Sequence, residues 1–416
     1  MAEKTTAWDS ALENLEEAAK IAGLHPDVLA MLKTHQRVFI TTFPVRMDDG
    51  SLEFFTGYRV HHNHALGPIR GGTRFHPDET LDDIKALSLW MSVKNAINGV
   101  PGGGGKGGVV CDPGTLSDAE LQRLCRAYIR GIAPMVGAQV DFPGADVGTS
   151  SKTQSWMMDE WEQMHAMTHD PAAISGKEIG IGGSEARPAA TGYGVMLSVR
   201  ETCKARGLDM SHQTVAIQGF GKVGSWASRL IYDQGAKIVA IGDVYGAIAN
   251  RDGINPHELL AHVGKTGKIP GFANAKAISN AELLAFDSDF LIPAALQNVI
   301  TEDNANEIKA KIVVEAANGP ITPKAADMLI AKDIFLVPDI IANGGGTAVA
   351  HLERVQCLCD DFWSEDEVNK RYDGMFTETY RQAYQMAREE KITMRMAAWV
   401  IGLRKIESAI IARGWV

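Results

Sequence analysis

Thr214-Val-Ala-Ile-Gln218 followed by Gly219-Phe220-Gly221-Lys222-Val223-Gly224 is the stretch on which the fold turns. The first five residues form a short apolar run that reads as a strand, and a helical pattern covers Val223–Gln234. In such a turn one glycine permits the tight bend. A second lets backbone approach a pyrophosphate, and a third lets helix and strand pack closely. The helix start adds free N–H groups and a positive dipole end. A glycine pattern alone also suits a purely structural turn. Here strand, loop and helix come in order, and a second strand, Lys237–Gly242, leads into Asp243. A carboxylate at that distance is where adenosine ribose hydroxyls are held. The expected ligand is a nicotinamide dinucleotide. Asp243 favours NAD, because a carboxylate repels a 2′-phosphate and no Arg or Lys follows until Arg251. A basic group from elsewhere would admit NADP.

Outward from this unit, strand patterns recur at Asp289–Ile292, Lys311–Glu315 and Ile334–Val337, alternating with helical ones. That alternation predicts parallel βαβ units. Upstream, residues 9–34 predict an amphipathic helix broken near Pro26. Val38–Phe43 and Leu52–Val60 read as strands joined by an Asp49-Gly50 turn. Helices are expected over Thr80–Asn98 and Ser117–Ala133, capped by Thr80 and Ser117. Downstream, Glu365–Arg388 and Met394–Arg413 are helical patterns able to pack back on the first domain. The expected class is α/β in two domains. Residues 1–180 form an N-terminal α/β domain, 181–346 a Rossmann domain, and 347–416 a C-terminal helical segment returning to the first domain.

Composition narrows the function. A chain of 416 residues exceeds one ordinary core. The net charge of −10 argues against nucleic acid, whose phosphates need clustered Lys and Arg. It leaves room for a local cationic pocket that holds a small anion. Five scattered cysteines (111, 125, 203, 357 and 359) read as reduced thiols. No second Cys/His cluster suggests structural zinc, so no metal is expected. The first residues lack the apolar region of a signal peptide. No apolar run approaches the roughly 20 residues needed to span a bilayer. The expectation is a cytoplasmic protein with no membrane partner.

The chemistry is expected in the first domain. Ile84, Leu87, Trp90 or Met91, and Lys94 recur at helical spacing, which puts Lys94 at the end of an apolar stripe. A lysine there snorkels or meets an anion. Nearby, Lys106 sits in the glycine-rich segment Pro101–Gly108, read as a loop whose backbone can approach a ligand closely. A Walker A phosphate loop is rejected, because Gly107 follows Lys106 where Ser or Thr is required. An enclosed lysine beside a second cation suits acid–base work. Asp146, in the turn-rich stretch Phe142–Thr149, would by itself more often be a turn or cap residue. His61, His62 and His64 read as packing or polar groups ahead of metal ligands, and Trp156 and Trp161 as core or interface anchors.

Several segments together resemble the glutamate dehydrogenase family, whose superfamily includes leucine, phenylalanine and valine dehydrogenases. They are Gly67–Phe75, Met91–Asn95, Pro101–Gly108, Pro143–Thr149, Gly182–Gly192, Ile292–Leu296, Glu315–Pro320 and Pro338–Gly346. The resemblance runs from about residue 35 to the C-terminus. It implies that Lys106 activates water and stabilises charge on the intermediates, and that Asp146 passes protons to and from the amine. It implies that Lys94 binds the substrate α-carboxylate, with Met91 and Arg70 also in the pocket. Thr191, Asn318 and Ala294 would hold the dinucleotide with the glycine loop, and Asn343 would lie where cofactor and substrate meet. It further implies a cleft between the domains and a homohexamer built through the first.

Two positions depart from glutamate-specific members. Arg70 stands where they carry lysine, and Ala350 where they carry serine. Arg keeps the charge but is longer, while Ala350 removes a hydroxyl donor whose loss typically costs on the order of 1 kcal/mol. An acidic side chain is still expected, since a buried Arg70 without an anion is costly. Arg70 could instead pair with a protein carboxylate, which would open the pocket to another side chain. The expected reaction is reversible oxidative deamination of an L-amino acid, foremost glutamate, to the 2-oxo acid and ammonium. The rivals are the same chemistry on another amino acid and a silent subunit that regulates an active partner. A Rossmann dehydrogenase of alcohols or hydroxy acids leaves the paired lysines unexplained.

Overall fold

The computed structural model describes residues 6–416, and the chain divides into two compact units. Unit 1 comprises Met1–Arg187, Thr347–Arg371 and Trp399–Val416; unit 2 comprises Pro188–Gly346 and Tyr372–Ala398.

Unit 1 opens with α1 (Ala7–Ala22) and α2 (Pro26–Leu32), parted by a left-handed Gly23 and restarted by Pro26 at the first helical position. There follow β1 (Arg37–Arg46), β2 (Leu52–Asn63), β3 (Ile69–His76), α3 (Leu81–Ile97), β4 (Gly103–Val110), α4 (Asp118–Ile132), β5 (Asp141–Ala145) and α5 (Ser151–Met164). The sheet order is β1-β2-β4-β3-β5, antiparallel through β4 and parallel from β4 to β5. The Thr80 and Ser117 side chains accept the backbone N–H of Asp83 and Glu120, which fixes where α3 and α4 begin.

The glycine run corrects a sequence expectation. Gly103–Gly108 is no loop but the interior of β4, between β2 and β3. Glycine forms strands poorly, so its use here marks a close approach. A Cβ at Gly104 would lie 2.1 Å from the Ser92 nitrogen of α3, and one at Gly71 would lie 1.6 Å from the Gly105 carbonyl oxygen. The helix answers with small and polar residues, and Asn95 Nδ2 donates to the Gly103 carbonyl at 2.6 Å. The other face of the sheet carries a hydrophobic core that includes Phe43, Phe75, Val109, Tyr128, Ile129 and Trp161. Likewise Asp141–Ala145, inside the stretch read as turns, is strand β5.

Unit 2 runs α6 (Ala190–Arg206), β6 (Thr214–Gln218), α7 (Lys222–Asp233), β7 (Lys237–Asp243), β8 (Gly246–Ala249), α8 (Pro256–Thr266), β9 (Lys276–Ile278), α9 (Asn280–Leu284), β10 (Phe290–Pro293), β11 (Ile312–Val314), α10 (Pro323–Ala331), β12 (Phe335–Val337) and α11 (Asp339–Ala342). Its sheet order is β12-β11-β10-β6-β7-β8-β9. The strands from β12 to β7 are parallel, as the alternation predicts; the short β8 and β9, which have too few residues to show a period, add antiparallel. Strand order reverses between β6 and β10, the position at which open α/β sheets bind ligands beyond the strands' carboxyl ends.

Three helices close the chain: α12 (Gly345–Cys359), α13 (Glu365–Glu389) and α14 (Met394–Ala412). Read in sequence as one returning segment, 347–416 is in fact shared, because Tyr372–Ala398 belongs to unit 2. There Arg395 pairs with the buried carboxylates of Glu315 at 2.5 Å and Asp339 at 2.8 Å, and Arg200 grips Asp373 at 2.5 and 2.6 Å.

Candidate active site

Side chains alternate between the two faces of a sheet. The register sets Arg70 beside Gly104 and Phe142, and Arg74 beside Gly108. Arg70, Gly72, Arg74, Lys106 and Phe142 therefore share one face, the one on which α3 rests against Gly104 and Gly108. Asp146, just past β5, crosses Gly72, whose absent Cβ would lie 2.7 Å from the Asp146 Cβ. The Lys106 side chain is 6% exposed and forms an ion pair with Asp146 Oδ2. Asp146 Oδ1 accepts the Val147 N–H at 2.7 Å, and the Asp146 N–H donates to Thr149 Oγ1 at 2.7 Å. Burial works against ionising Asp146. The charge and hydrogen bond of Lys106, the Val147 N–H and Arg74 outweigh it and hold the carboxyl below its ordinary value. The result is a buried lysine and a partly exposed carboxylate in contact, suited to passing protons. Lys94 lies half-buried in the last turn of α3, one turn beyond half-buried Met91.

Arg70 is 3% exposed. Its guanidinium stacks 4.3 Å from the Phe142 ring centroid, and Nη2 donates to the Pro101 carbonyl at 3.3 Å. Nε and Nη1 are buried without a hydrogen-bond partner, and no Asp or Glu among the described residues pairs with the group. Burial, reinforced by the nearby charge of Arg354, pushes the guanidinium down to about 9. Gly102 makes the room: a Cβ there would lie 2.3 Å from Arg70 Nε. On α12, Ala350 is one turn before Arg354, whose guanidinium reaches the same Phe142 ring at 5.4 Å. Arg354 is held by the Ala138 carbonyl at 2.7 Å and Gln139 Oε1 at 2.9 Å. The helix is anchored by fully buried Glu353, which accepts from Lys177 at 2.8 Å and from the Gly176 N–H at 2.9 Å.

Beneath the sheet, Asp141 accepts from Arg59 at 2.5 and 2.7 Å and contacts His61 Nε2 at 2.8 Å. His62 lies between Ser92 Oγ and the Leu32 carbonyl, and burial pushes it down to about 3, so it is neutral. His64 contacts Gln36. The three histidines thus serve three different neighbours. Among the described residues no group of three His, Cys, Asp or Glu side chains gathers as metal ligands.

In unit 2 the three glycines separate by role. Gly219 has φ +103°, and its Cβ would meet the Ala294 carbonyl at 3.0 Å. Gly224 packs so closely that a Cβ would lie 1.9 Å from the Gly219 oxygen. Gly221 has nothing within 4 Å of its Cβ position, and it caps α7 without any side-chain hydrogen bond. Open space at an uncapped helix N-terminus fits the phosphates of a dinucleotide. Phe220 is buried beneath the loop, Val223 is half-buried and Lys222 exposed. Asp243 accepts from the N–H groups of Tyr245 and Ile269, each at 2.7 Å. Each oxygen retains a second lone pair for a ribose hydroxyl. Ala294 and Asn318 follow the carboxyl ends of β10 and β11; Asn343 Nδ2 donates to Asn318 Oδ1 at 2.8 Å. Gly345 packs on the Ala190 carbonyl, which brings the Asn343 turn beside the start of α6 at Thr191. The sequence pattern missed Phe142, Gly102 and Arg354 as pocket groups. Only the pairing of β3 with β5 and the packing of α12 bring them to Arg70.

Residues 182–414 match the family model described as Glutamate/Leucine/Phenylalanine/Valine dehydrogenase, and residues 35–163 match the Glu/Leu/Phe/Val dehydrogenase dimerisation domain. The chain is 43% identical over 405 residues to the "Cryptic catabolic NAD-specific glutamate dehydrogenase GudB" of Bacillus subtilis, covering 97% of this chain and 94% of that protein. It is 43% identical over 401 residues to an NAD-specific glutamate dehydrogenase of Staphylococcus aureus, covering 96% of each. Among solved structures, a glutamate dehydrogenase from Peptoniphilus asaccharolyticus matches with TM-score 0.90 at 38% identity, over 99% of this chain and 100% of that one. The hetero-hexameric glutamate dehydrogenase of Thermus thermophilus, in its Leu-bound form, matches with TM-score 0.93 at 34% identity, over 100% and 98%.

Proposed function

This chain belongs to the Glu/Leu/Phe/Val dehydrogenase family, and from that premise we propose how it works. It is an NAD(P)-dependent amino-acid dehydrogenase that catalyses the reversible oxidative deamination of L-glutamate to 2-oxoglutarate and ammonia. The observation that carries glutamate for this pocket is Arg70, a buried guanidinium with two nitrogens that find no hydrogen-bond partner, and no carboxylate, among the described residues. A side-chain carboxylate supplies what it lacks, in the paired geometry that guanidinium favours. Ala350 leaves this end without a hydroxyl donor, and Arg70 is the group that compensates.

We assign the α-carboxylate to Lys94. Lys106 activates the water that attacks the imine carbon, and Asp146 takes protons from the amine and returns them to it. Their existing ion pair supports this division, because one member can give a proton while the other accepts. Gly219–Gly224, Asp243 and Ala294 are the residues that would hold the dinucleotide, with Thr191, Asn318 and Asn343 toward its nicotinamide end. When bound, NAD supplies the acceptor for the hydride leaving the α-carbon. We assign substrate binding and catalysis to residues 1–180, dinucleotide binding to 181–346, and a supporting role to 347–416. A homo-oligomer is the assembly, built from a chain whose matched dimerisation domain spans residues 35–163. No helix among the described residues is long and apolar enough to cross a membrane. Five cysteines without disulfides support a reducing compartment, and we propose the cytoplasm.

The test is a panel of L-amino acids with NAD and with NADP, followed by absorbance of the reduced cofactor. Turnover of glutamate with NAD well above that of leucine, phenylalanine or valine is expected. Intact dinucleotide binding with no turnover of any amino acid would overturn the enzyme reading.

A further inference from the structure

Glu79 lies between β3 and α3, just before the Thr80 cap, and the mechanism above does not use it. Its Cγ occupies the space beside Gly108, 3.0 Å from where a Cβ at that glycine would stand. Gly108 is two residues from Lys106 on β4, so the Glu79 side chain lies along the same sheet face from which Lys106 projects. That side chain is 1% exposed, and neither carboxylate oxygen has a hydrogen-bond partner among the described residues. Arg74 Nε comes within 3.3 Å of Oε2, but its N–H is not aimed to make the bond. The charged groups facing Glu79 are Arg74 from β3, Lys106 from β4, Asp83 from the first turn of α3 and Asp146 from the end of β5.

A carboxylate kept for packing or capping has its oxygens satisfied, since burying them unpartnered is costly. Here the cost is borne beside the reacting ion pair, where perturbed groups concentrate. Burial pushes the Glu79 carboxyl up to about 7, against the opposing pull of Arg74 and Lys106. Its charge therefore changes within the range where an amine loses and regains protons.

We propose that Glu79 is a positioning residue for the Lys106–Asp146 pair. Ionised, it holds the cationic row of Arg74 and Lys106 on the sheet face; protonated, it releases that row. The inference rests on Lys106 and Asp146 carrying the amine chemistry. Its consequence is an acid limb near neutrality in the rate of glutamate oxidation, set by Glu79, with activity rising as the carboxyl ionises.

The experiment compares wild type, Glu79→Gln and Glu79→Asp as full chains, measuring kcat and KM for glutamate from pH 6 to 10 at saturating NAD, with thermal melting alongside. Glutamine cannot ionise, so Glu79→Gln is expected to lose the limb or move it by about one pH unit or more. Its kcat should fall most at the alkaline end, with the KM for NAD unchanged. Glu79→Asp is expected to retain a limb at a displaced pH and to recover part of the rate. A folded Glu79→Gln protein with the wild-type limb and kcat overturns the inference alone. If the glutamine variant does not fold, an aspartate variant whose limb coincides with wild type overturns it as well. Absence of glutamate turnover in the wild type would overturn the functional reading, and the inference with it.

Discussion

Arg70 concentrates the residue-scale physics, since a buried cation with open N–H groups destabilises the empty pocket and rewards an anion that fills it. Arg70→Met keeps comparable bulk against Phe142 and removes the charge. It is expected to raise the KM for glutamate by about 100-fold, in line with the 2–5 kcal/mol lost when one partner of a buried charge pair is removed. Activity on leucine should rise relative to glutamate, and the melting temperature should hold or increase. Steady-state kinetics on both substrates and a thermal melt check this; an unchanged KM would reassign the pocket. Asp141 carries a different burden. Burial opposes its ionisation, yet the charge and hydrogen bonds of Arg59, with His61, hold its carboxyl below the ordinary value. A depressed carboxyl contributes stability above its unfolded value and loses it as pH falls, so this contribution fades on acidification below about pH 4. Asp141→Asn leaves Arg59 buried and unpaired at every pH, and is expected to cost about 3–5 kcal/mol by denaturant unfolding.

Within elements, glycine does two separate jobs, and the structure shows which residue does which. In the β6–α7 turn, Gly224→Ala drives a methyl into the Gly219 carbonyl, whereas Gly221→Ala meets nothing. Gly224→Ala is therefore expected to lower the melting temperature markedly. Gly221→Ala should melt like wild type but weaken NAD binding by about ten-fold or more, because its methyl would stand in the open space proposed here for the phosphates. Calorimetric titration beside thermal melting separates the two, and equal effects would contradict the division. The same reasoning covers β4, where Gly104 is required by the Ser92 backbone of α3 rather than by a ligand. Thr80, Ser117 and Asp49-Gly50 were legible in sequence because caps and turns are local. The glycine strand was misread as a loop, because its reason lies in a helix and a neighbouring strand, and β propensity argues against it.

For the whole molecule, the way the chain is divided has an energetic consequence. Tyr372–Ala398 belongs to unit 2, and Arg395 there is the counter-charge for buried Glu315 and Asp339. A fragment ending at Gly346 retains the entire dinucleotide fingerprint yet leaves both carboxylates unpaired. Removing one partner of a buried pair costs about 3–5 kcal/mol, a large part of a domain's stability. Residues 188–346 expressed alone are expected to be insoluble or to lack a cooperative melt by circular dichroism. A cooperative melt in that fragment would show the helix segment to be dispensable. By itself the sequence determined what depends on near neighbours or on period: the Rossmann turn, the parallel alternation and the helix caps; the resemblance of several motifs taken together pointed to the family and to Lys106 and Asp146 as the proposed reacting groups. The tertiary structure alone decided that no carboxylate among the described residues pairs with Arg70, that Phe142, Gly102 and Arg354 surround it, and that Glu79 stands on the face of Lys106. Those facts arise from strand register and helix packing between residues far apart in the chain, and no local pattern encodes which distant side chain fills a given space.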